Sequence, residues 1–334
     1  MPLLIWLLSF LLVKSEPLRR FELRGKAQGT TYSVIYYATD SIVTKGQCDS
    51  VFRSLDSALS IYQPYSEINR LNAAKRKFAA GPHLRNVLQK AAVVSRQTGG
   101  AFDVTVLPLV QAWGFGAKPH NNPPDSAAVQ QLKSCTGWQQ LRIRGRHVYK
   151  KKPCVQADVN GIAQGYSVDV LAGFLAAKGL ENYLVEIGGE LSVQGRRQPS
   201  GEPFTIGIES PEAAENMGAP LQQQLALRSG ALTTSGSYRR YYLSGNKAIA
   251  HLLDPATGFP LTNNLVAVTV WAPDAITADA IDNALMTMGL EKGLQFAEQQ
   301  KDLEAYFIYK KRDGTPADTA TSGFYALLQE KKIQ

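Results

Sequence analysis

The stretch TADAIDNALMTMG, residues 277–289, is the one around which the rest of the chain is organised. Thr277 can cap the start of a helix, and Gly289 can close its end in a left-handed conformation. Apolar residues recur between these two positions at helical spacing. The pattern therefore predicts one short helix with a buried stripe formed by Ile281, Leu285 and Met288.

Three oxygen-bearing side chains lie on the same predicted helix. Asp279 and Asn283 are four residues apart and share a face, and Asp282 lies next to them. A carboxylate near a helix start is favourable on its own, because it complements the free N–H groups of the first turn. The spacing fits helix capping as well as a divalent cation, and the helix alone leaves both interpretations open.

Three stretches lie upstream, and the second and third contain more glycine and small polar residues than a packed core needs. The first, AFDVTVLPLV at residues 101–110, has the apolar composition of a strand. The second, DVNGIAQGYSVDVLAGFL at residues 158–175, is predicted to be a loop that enters a helix. In the third, YLVEIGGELSVQG at residues 183–195, two strands meet at adjacent glycines, which mark either a bulge or the close approach of a ligand.

Two more stretches lead into the helix. TTSGSYRRYY, residues 233–242, supplies small hydroxyl donors. In HLLDPATGFP, residues 251–260, Asp254 starts a turn that also uses a proline and Gly258. That turn does not account for His251, which follows an apolar strand at a place where active-site side chains often project.

In this order, the stretches resemble the FAD:protein FMN transferase family, the ApbE-like flavin transferases. The resemblance runs from GTTYSV, which begins at Gly29, to the helix that ends at Gly289, and it includes the pattern HxxDPxTG that begins at His251. The order and spacing of the motifs carry it, not any single motif. The resemblance implies a Mg²⁺-dependent enzyme that moves FMN from FAD to a Thr or Ser hydroxyl of an acceptor protein through a phosphoester bond, releasing AMP.

The resemblance also implies catalytic and flavin-binding residues. His251 would be the general base for the acceptor hydroxyl, and Asp254 would orient it. Family members commonly carry methionine where this chain has Gln28. The flavin would contact Gln28, Tyr62, Ala101, Phe102, Asp103, Asp158, Gln164, Gly188, Gly189, Ser235, Gly236, His251 and Leu252.

For the metal, the resemblance implies Mg²⁺ bound by the backbone carbonyl of Ala163, the Asp279 carboxylate and the Asn283 side chain. Asp282 is an alternative ligand. Family members usually carry threonine at the position of Asn283, and asparagine keeps a neutral oxygen donor there. They usually carry lysine at the position of Gln164, so this chain lacks a positive contact to phosphate.

Several of these residues have a structural explanation as well. Asp103 can brace a turn, and Tyr62 can be a half-buried core tyrosine instead of a stacking partner. Gly161 and Gly165 let a ligand approach a helix that begins near Ala163, which would make a pyrophosphate seat. A glycine-containing loop before a helix is common, however, so the sequence leaves these alternatives open.

Length and composition indicate an ordinary globular protein. With 334 residues, of which 44% are apolar and 19% charged, the chain can bury a large core. Its net charge of +8 favours an anionic ligand or an acidic partner surface, and Arg239 or Arg240 could reach such a ligand. The basic residues form no aromatic-interleaved stripe, so we expect no nucleic-acid partner.

The N-terminal residues predict export. Residues 2–13 form an apolar run that is too short to span a bilayer as a helix and fits the apolar core of a secretory signal. The usual basic start is missing, and a buried N-terminal strand or helix is the alternative. We expect a signal-like segment over residues 1–16, one flavin transferase domain over residues 17–334, and a periplasmic protein that can associate with the inner membrane. The expected acceptor is a membrane-associated redox subunit.

The predicted elements mix hairpins and helices without strict alternation. We therefore expect an α+β fold with mixed, largely antiparallel sheets, in which two lobes flank one flavin and metal cleft. Among its strands we expect a first pair that turns at Gly29, one strand over residues 225–233 and a last strand over residues 323–328. The odd number of cysteines without CxxC spacing implies neither a disulfide framework nor a zinc site.

Three other functions fit parts of the sequence. A Mg²⁺-dependent FAD pyrophosphatase would use the same metal with water as the nucleophile. A non-catalytic periplasmic FAD-binding protein would hold the dinucleotide without turnover. A flavin oxidoreductase is disfavoured, because no GxGxxG fingerprint follows a predicted strand.

Overall fold

An antiparallel sheet of eight strands forms the centre of the computed structural model, which describes residues 16–210, 221–237, 241–244 and 247–329. The strands are β1 (Arg19–Ala27), β2 (Thr30–Ala38), β3 (Lys77–Ala79), β4 (Leu141–Arg144), β5 (His147–Lys150), β6 (Tyr183–Ile187), β7 (Glu190–Gln194), β8 (Phe204–Glu209), β9 (Leu221–Leu227), β10 (Ser229–Gly236), β11 (Tyr241–Ser244), β12 (Lys247–Ala250), β13 (Leu265–Ala272), β14 (Glu304–Lys310) and β15 (Pro316–Ala320).

The central sheet has the strand order β1-β2-β6-β7-β10-β13-β14-β15, and every neighbouring pair is antiparallel. Smaller sheets are formed by β3-β5-β4, β8-β9 and β11-β12. The first strand pair turns at Gln28 and Gly29, as predicted. The expected α+β class with largely antiparallel sheets is confirmed.

The helices cover mainly one face of this sheet. In β14, Phe307 packs with the helices while Tyr306 and Ile308 pack with β8 and β9 on the other face, because successive side chains of a strand point to opposite faces. The helices are α1 (Lys45–Leu59), α2 (Glu67–Ala73), α3 (Pro82–Gln97), α4 (Leu107–Ala112), α5 (Ser126–Lys133), α6 (Asn160–Ala177), α7 (Ala275–Met288), α8 (Leu290–Glu298) and α9 (Ser322–Gln329), with a 3₁₀ turn at Trp138–Gln140.

Helix α7 begins earlier than the sequence analysis predicts. Its N-cap is Asp274, whose carboxylate accepts a hydrogen bond from the N–H of Thr277, so Thr277 lies in the first turn. Asp279 consequently lies beyond the first turn, and helix capping does not explain it. Ile281 and Leu285 are buried as predicted, whereas Met288 is only half-buried.

The strand predicted for residues 101–110 is absent from the structure. Asp103 Oδ1 accepts hydrogen bonds from both the N–H and the hydroxyl of Thr105, each at 2.7 Å, and this turn interrupts extended backbone. Pro108 then lies in the first turn of α4, where its missing N–H costs nothing. Local side-chain chemistry therefore overrides the apolar composition of the stretch.

Two other predicted strands are also wrong. Residues 225–233 are divided between β9, which pairs with β8, and β10, which pairs with β7 and β13. Residues 323–328 lie in helix α9, because Phe324, Leu327 and Leu328 have helical spacing and pack together in the cluster around Tyr306.

Cys135 and Cys154 form a disulfide, which the cysteine count and spacing did not imply. The bond joins the chain after α5 to the loop after β5, and the fold supplies the proximity that sequence spacing could not reveal. Cys48 is a buried free thiol. Among the described helices, none combines the length and apolarity that crossing a membrane requires. The predicted signal-like segment lies almost wholly in residues 1–15, outside the described part, and its domain boundary stays a prediction.

Candidate active site

A cleft of about 460 Å³ lies where the start of α6, one face of α7 and the end of β10 come together. The β1–β2 turn, the β6–β7 turn, the segment before α4 and the segment after β12 form its other walls. We call it the acidic cleft, because its walls carry the carboxylates of Asp103, Asp158, Glu190, Asp279 and Asp282.

Most of the site residues predicted from the sequence line the acidic cleft. Ala163, Gly189 and Asp254 do not. The predicted residues on its walls are Gln28, Tyr62, Ala101, Phe102, Asp103, Asp158, Gln164, Gly188, Ser235, Gly236, His251, Leu252, Asp279 and Asn283. Segments far apart in sequence thus converge on one cleft, while the chemical role of each residue stays a prediction.

Helices α6 and α7 meet at Gly165 and Asp279. The N–H of Gly165 donates a hydrogen bond to Asp279 Oδ2 at 2.8 Å. A Cβ atom at Gly165 would lie 2.2 Å from the carbonyl oxygen of Ala275 and 2.7 Å from the Cβ of Asp279. Glycine is therefore required for this contact, which fixes the Asp279 carboxylate in the cleft wall.

Burial makes the carboxylates of α7 costly to ionise. Asp279 and Asp282 are only 4% and 1% exposed. Burial raises the pKa of Asp279 to about 7, with a smaller contribution from the Asp169 carboxylate and opposition from the Gly165 hydrogen bond. Burial and the neighbouring Asp279 raise the pKa of Asp282 well above its ordinary value. In the described part of the chain, neither carboxylate forms an ion pair with Lys or Arg.

Asn283 connects α7 to its surroundings through both atoms of its amide. Its Nδ2 donates to the carbonyl of Asp279 at 2.8 Å and to Asp282 Oδ1 at 3.0 Å. The same nitrogen lies 3.4 Å from the carbonyl oxygen of Gly161 at the start of α6. Its Oδ1 accepts from Ser235 Oγ at 3.3 Å. The amide therefore ties β10, α6 and α7 together at the cleft.

The α7 wall fits a hard divalent cation. Mg²⁺ binds proteins through one or two carboxylates and takes its remaining ligands from water and substrate phosphates. Asp279 and Asp282 supply two buried carboxylates whose charge a cation would offset. No cluster of three or more His, Cys, Asp or Glu suited to a metal occurs among the described residues, so a cation here would also depend on substrate oxygens.

The carbonyl of Ala163 has a different environment from the one the resemblance implies. It accepts a hydrogen bond from Ser167 Oγ at 2.7 Å, and Ala163 does not line the acidic cleft. The carbonyl of Gly161, one half-turn earlier, is the α6 carbonyl that approaches Asn283. A metal ligand at Ala163 stays a prediction, with Gly161 as the backbone group that the structure brings nearer to α7.

His251 lines the cleft directly after β12. Its ring lies 6.3 Å from the ring of Phe115, centroid to centroid, in an edge-to-face arrangement. Phe115 follows Trp113, whose indole Nε1 donates to the carbonyl of Gly258 at 2.9 Å. The loop of residues 113–116 thus supports both the His251 segment and the turn that follows it.

Asp254 braces that turn. Its Oδ1 accepts from the N–H of Ala256 at 2.8 Å, and its backbone carbonyl accepts from the N–H of Gly258 at 2.7 Å. The turn explanation given by the sequence is therefore confirmed. An orienting action of Asp254 on His251 stays a prediction.

Gly188 and Gly189 form a two-residue hairpin turn between β6 and β7, with φ of 61° and 109°. The bulge interpretation was therefore wrong. A Cβ at Gly188 would lie 2.1 Å from Gln164 Nε2, which donates to the carbonyl of Ile187 at 2.8 Å. Gln164, at the position where the family usually has lysine, thus holds this turn against α6.

The other predicted flavin contacts differ in burial. Asp103 is buried and satisfied by Thr105, and burial raises its pKa. Asp158 accepts from the N–H of Asn160 at 2.9 Å, and burial raises its pKa to about 6. Tyr62 is 52% exposed, so it is not a half-buried core tyrosine.

Helix α6 begins at Asn160, before the predicted start near Ala163. Asn160 and Gly161 line the cleft, so this helix start faces the cavity, and the Asp158 carboxylate accepts a hydrogen bond from the N–H of Asn160. Arg239 and Arg240, which the sequence offers for an anionic ligand, lie outside the described residues.

Several cleft residues were not predicted. Glu190 could have been found, because Leu191 and Val193 face the β8–β9 layer and the alternation of β7 turns Glu190 toward the helices. No comparable pattern identifies the rest. The additional lining residues include Thr30, Val106, Phe115, Asn160, Glu190, Thr234 and Thr287.

Comparison with known sequences agrees with this fold. The sequence profile of the ApbE family matches residues 28–307. An FAD:protein FMN transferase of Vibrio cholerae is 34% identical to this chain and covers 98% of it and 99% of the relative. An Escherichia coli FAD:protein FMN transferase is 32% identical and covers 87% of this chain and 84% of the relative.

Solved structures share the architecture. The flavin transferase ApbE from Vibrio cholerae superposes with a TM-score of 0.83 at 33% identity and covers 93% of this chain and 100% of the other. The Pseudomonas stutzeri flavinyl transferase ApbE, in its apo form, gives 0.84 at 33% identity over 93% and 98%. Fold and sequence place the chain in the structural class of flavin transferases. It belongs to the ApbE family.

Proposed function

We propose that this chain transfers FMN from FAD to a Thr or Ser hydroxyl of an acceptor protein. The hydroxyl oxygen forms a new bond to the FMN phosphorus, the pyrophosphate bond to the AMP half breaks, and AMP leaves. The hydroxyl proton passes to a base in the cleft. The proposal rests on membership of the ApbE family and on the activity that the relatives' names state.

The buried carboxylates of Asp279 and Asp282 are the observation that carries the mechanism. They are held beside the start of α6, in a cleft that His251 also lines. Bound there, Mg²⁺ would neutralise negative charge on the pyrophosphate and make the bridging bond easier to break. Gly165 and Asn283 keep the two carboxylates in place through their hydrogen bonds.

His251 is the proposed general base. A neutral imidazole can accept a proton near pH 7. Its edge-to-face contact with Phe115 restrains the ring on the cleft wall. At the start of α6 the N–H of Asn160 already donates to Asp158, so the N–H of Gly161 is the group that we propose for a phosphate oxygen.

Export to the periplasm is proposed as well. Disulfides persist in oxidising compartments and are rare in the cytosol, and the Cys135–Cys154 bond supports the export suggested by the apolar N-terminal run. A membrane-associated redox protein is the proposed acceptor. An exported transferase would meet the exposed parts of such a protein on the same side of the membrane.

One assay distinguishes transfer from the alternatives. The purified protein is incubated with FAD and Mg²⁺, with and without an acceptor, and AMP, free FMN and denaturation-resistant flavin fluorescence on the acceptor are measured. Transfer predicts AMP and protein-bound flavin in equal amounts. AMP with an equal amount of free FMN would identify a pyrophosphatase, and no AMP at all would identify a binding protein.

A further inference from the structure

A second cavity adjoins the acidic cleft. It has a volume of about 910 Å³, and we call it the amide groove. Gln28, Tyr62, Phe115 and Gln164 line both cavities. A molecule in the groove would therefore be next to whatever occupies the acidic cleft.

Neutral hydrogen-bonding side chains lie beside apolar residues in the part of the groove beyond this shared wall. Ser60, Gln63 and Asn121 lie there, and Asp56 is the one charged residue among the described lining residues. The side-chain amides of Gln63 and Asn121 form no hydrogen bond with other described residues, so both are open to a ligand. Each amide can donate and accept at once, which matches the N–H and C=O of a peptide group.

Gln28 adds a buried acceptor to the shared wall. Its Nε2 donates to Ser167 Oγ at 2.8 Å, while its Oε1 is buried without a hydrogen-bond partner in the described part of the chain. Leaving a buried acceptor unsatisfied costs free energy, so this oxygen favours a ligand that brings a donor. Burial raises the pKa of nearby Asp56, and a contact from Gln28 opposes the shift. A donor-rich, uncharged ligand satisfies both groups, whereas an acidic one would be repelled.

Two exposed tyrosines belong to the loop that lines one side of the groove. Tyr62 lines it and is 52% exposed, and Tyr65, in the same loop, is 64% exposed. Tyrosine is enriched where proteins bind other proteins, because it buries a large apolar ring and keeps a polar end. This loop is therefore suited to a polypeptide that continues out of the groove.

We propose that the amide groove binds an extended, uncharged segment of the acceptor protein and delivers its hydroxyl to the acidic cleft. This inference rests on the proposed transferase function. The groove supplies amide groups for the segment's backbone, a buried acceptor for one of its donors and tyrosines for the chain outside. The shared wall places the bound segment beside the groups assigned to FAD.

Peptide binding tests the proposal without turnover. The probe is a fluorescein-labelled peptide of glycine and alanine with one central threonine, and a second peptide carries glutamate on both sides of that threonine. Fluorescence anisotropy is measured without FAD or Mg²⁺ for the wild type, for Gln63→Ala/Asn121→Ala, and for the control Gln299→Ala at an exposed amide outside both cavities. FAD affinity is measured in parallel by flavin fluorescence.

We expect the neutral peptide to bind the wild type and the control equally and the double variant about tenfold more weakly, since two hydrogen bonds are lost. The glutamate peptide should also bind about tenfold more weakly to the wild type. FAD affinity should be unchanged in all three proteins. Equal peptide binding by the double variant, no binding of the neutral peptide, or a loss of FAD affinity in the double variant would each overturn the proposal. Wild-type protein that binds the peptide but never releases AMP from FAD would instead refute the transferase function.

Discussion

The N–H group of Gly165 donates a 2.8 Å hydrogen bond to the carboxylate of Asp279. This bond joins α6 to α7 at the wall of the acidic cleft. Because Gly165 has no side chain, the two helices approach closely enough for a backbone group of one to hold a side chain of the other. The distance between these helices therefore sets the position of the carboxylate to which we assign the metal.

Gly165→Ala should separate the helices and destabilise the protein by about 1–3 kcal/mol, since its Cβ would overlap the carbonyl of Ala275. Gly173→Ala is the matched control on the same helix, where a Cβ would have nothing within 4 Å. It should stabilise the protein by about 0.5–1 kcal/mol through helix propensity. Urea denaturation measures both changes. Equal effects of the two substitutions on the free energy of unfolding would show that α6 and α7 are not tightly packed at Gly165.

Asp279→Asn should remove the effect of Mg²⁺ on the protein. We expect Mg²⁺ to raise the melting temperature of the wild type, because a cation offsets the buried charge, and to leave that of the variant unchanged. AMP release from FAD should fall at least about a hundredfold. Asp302→Asn, at an exposed aspartate, is the control and should behave as the wild type. A variant that Mg²⁺ still stabilises would place the cation elsewhere.

His251→Ala should bind FAD with wild-type affinity and lose transfer by a factor of about 10²–10⁴, the usual contribution of a general base. His147→Ala, at a histidine on β5 that lines neither cavity, is the control. The initial rate of covalent flavin formation is the measurement. Transfer at the wild-type rate in His251→Ala would remove the base assignment.

The disulfide should be a measurable part of the stability. Cys135 and Cys154 are 19 residues apart, and a loop of this size gives about 3 kcal/mol by restricting the unfolded chain. Cys135→Ser/Cys154→Ser should lower the free energy of unfolding by that amount. Wild-type protein treated with dithiothreitol should match the double variant, and a reduced wild type as stable as the oxidised one would contradict this expectation.

The stability should fall as pH rises through the mildly acidic range. Burial raises the pKa of Asp169 from 3.8 to about 6, although it accepts hydrogen bonds from the N–H groups of Ile276 and Ala275. The folded protein therefore binds more protons than the unfolded chain between these values, so rising pH lowers the free energy of unfolding there. Asp169→Asn should make that dependence shallower between about pH 4 and 6. Urea midpoints across the window would show it, and an unchanged slope would contradict it.

The sequence predicted the outline of the fold where local patterns act alone. The first hairpin, at Gly29, and helix α7 have strong local patterns, and the structure confirms them. The predictions were wrong where a side chain redirects the backbone, or where contacts between distant segments determine how the strands pair. Asp103 turned a predicted strand into a bend, and the chain near Arg228 changes sheets with no mark in its composition.

The site followed a similar division. The order of the motifs was sufficient to predict that Phe102, Ser235 and Asp279 line one cleft. Ala163 does not line that cleft, and Gly161, two residues earlier in α6, has non-helical φ/ψ, which the pattern of the sequence did not reveal. The pairing of Cys135 with Cys154 likewise depends on the fold, because the disulfide joins the chain after α5 to the loop after β5.

The most direct test is anomalous diffraction from crystals soaked with Mn²⁺, as a substitute for Mg²⁺, together with FAD. We predict an anomalous peak within coordination distance, about 2.2 Å, of an oxygen of Asp279, with phosphate oxygens of the dinucleotide on its other side. A peak at another place in crystals that hold FAD in the acidic cleft, or FAD bound there with no metal beside α7, would contradict the account.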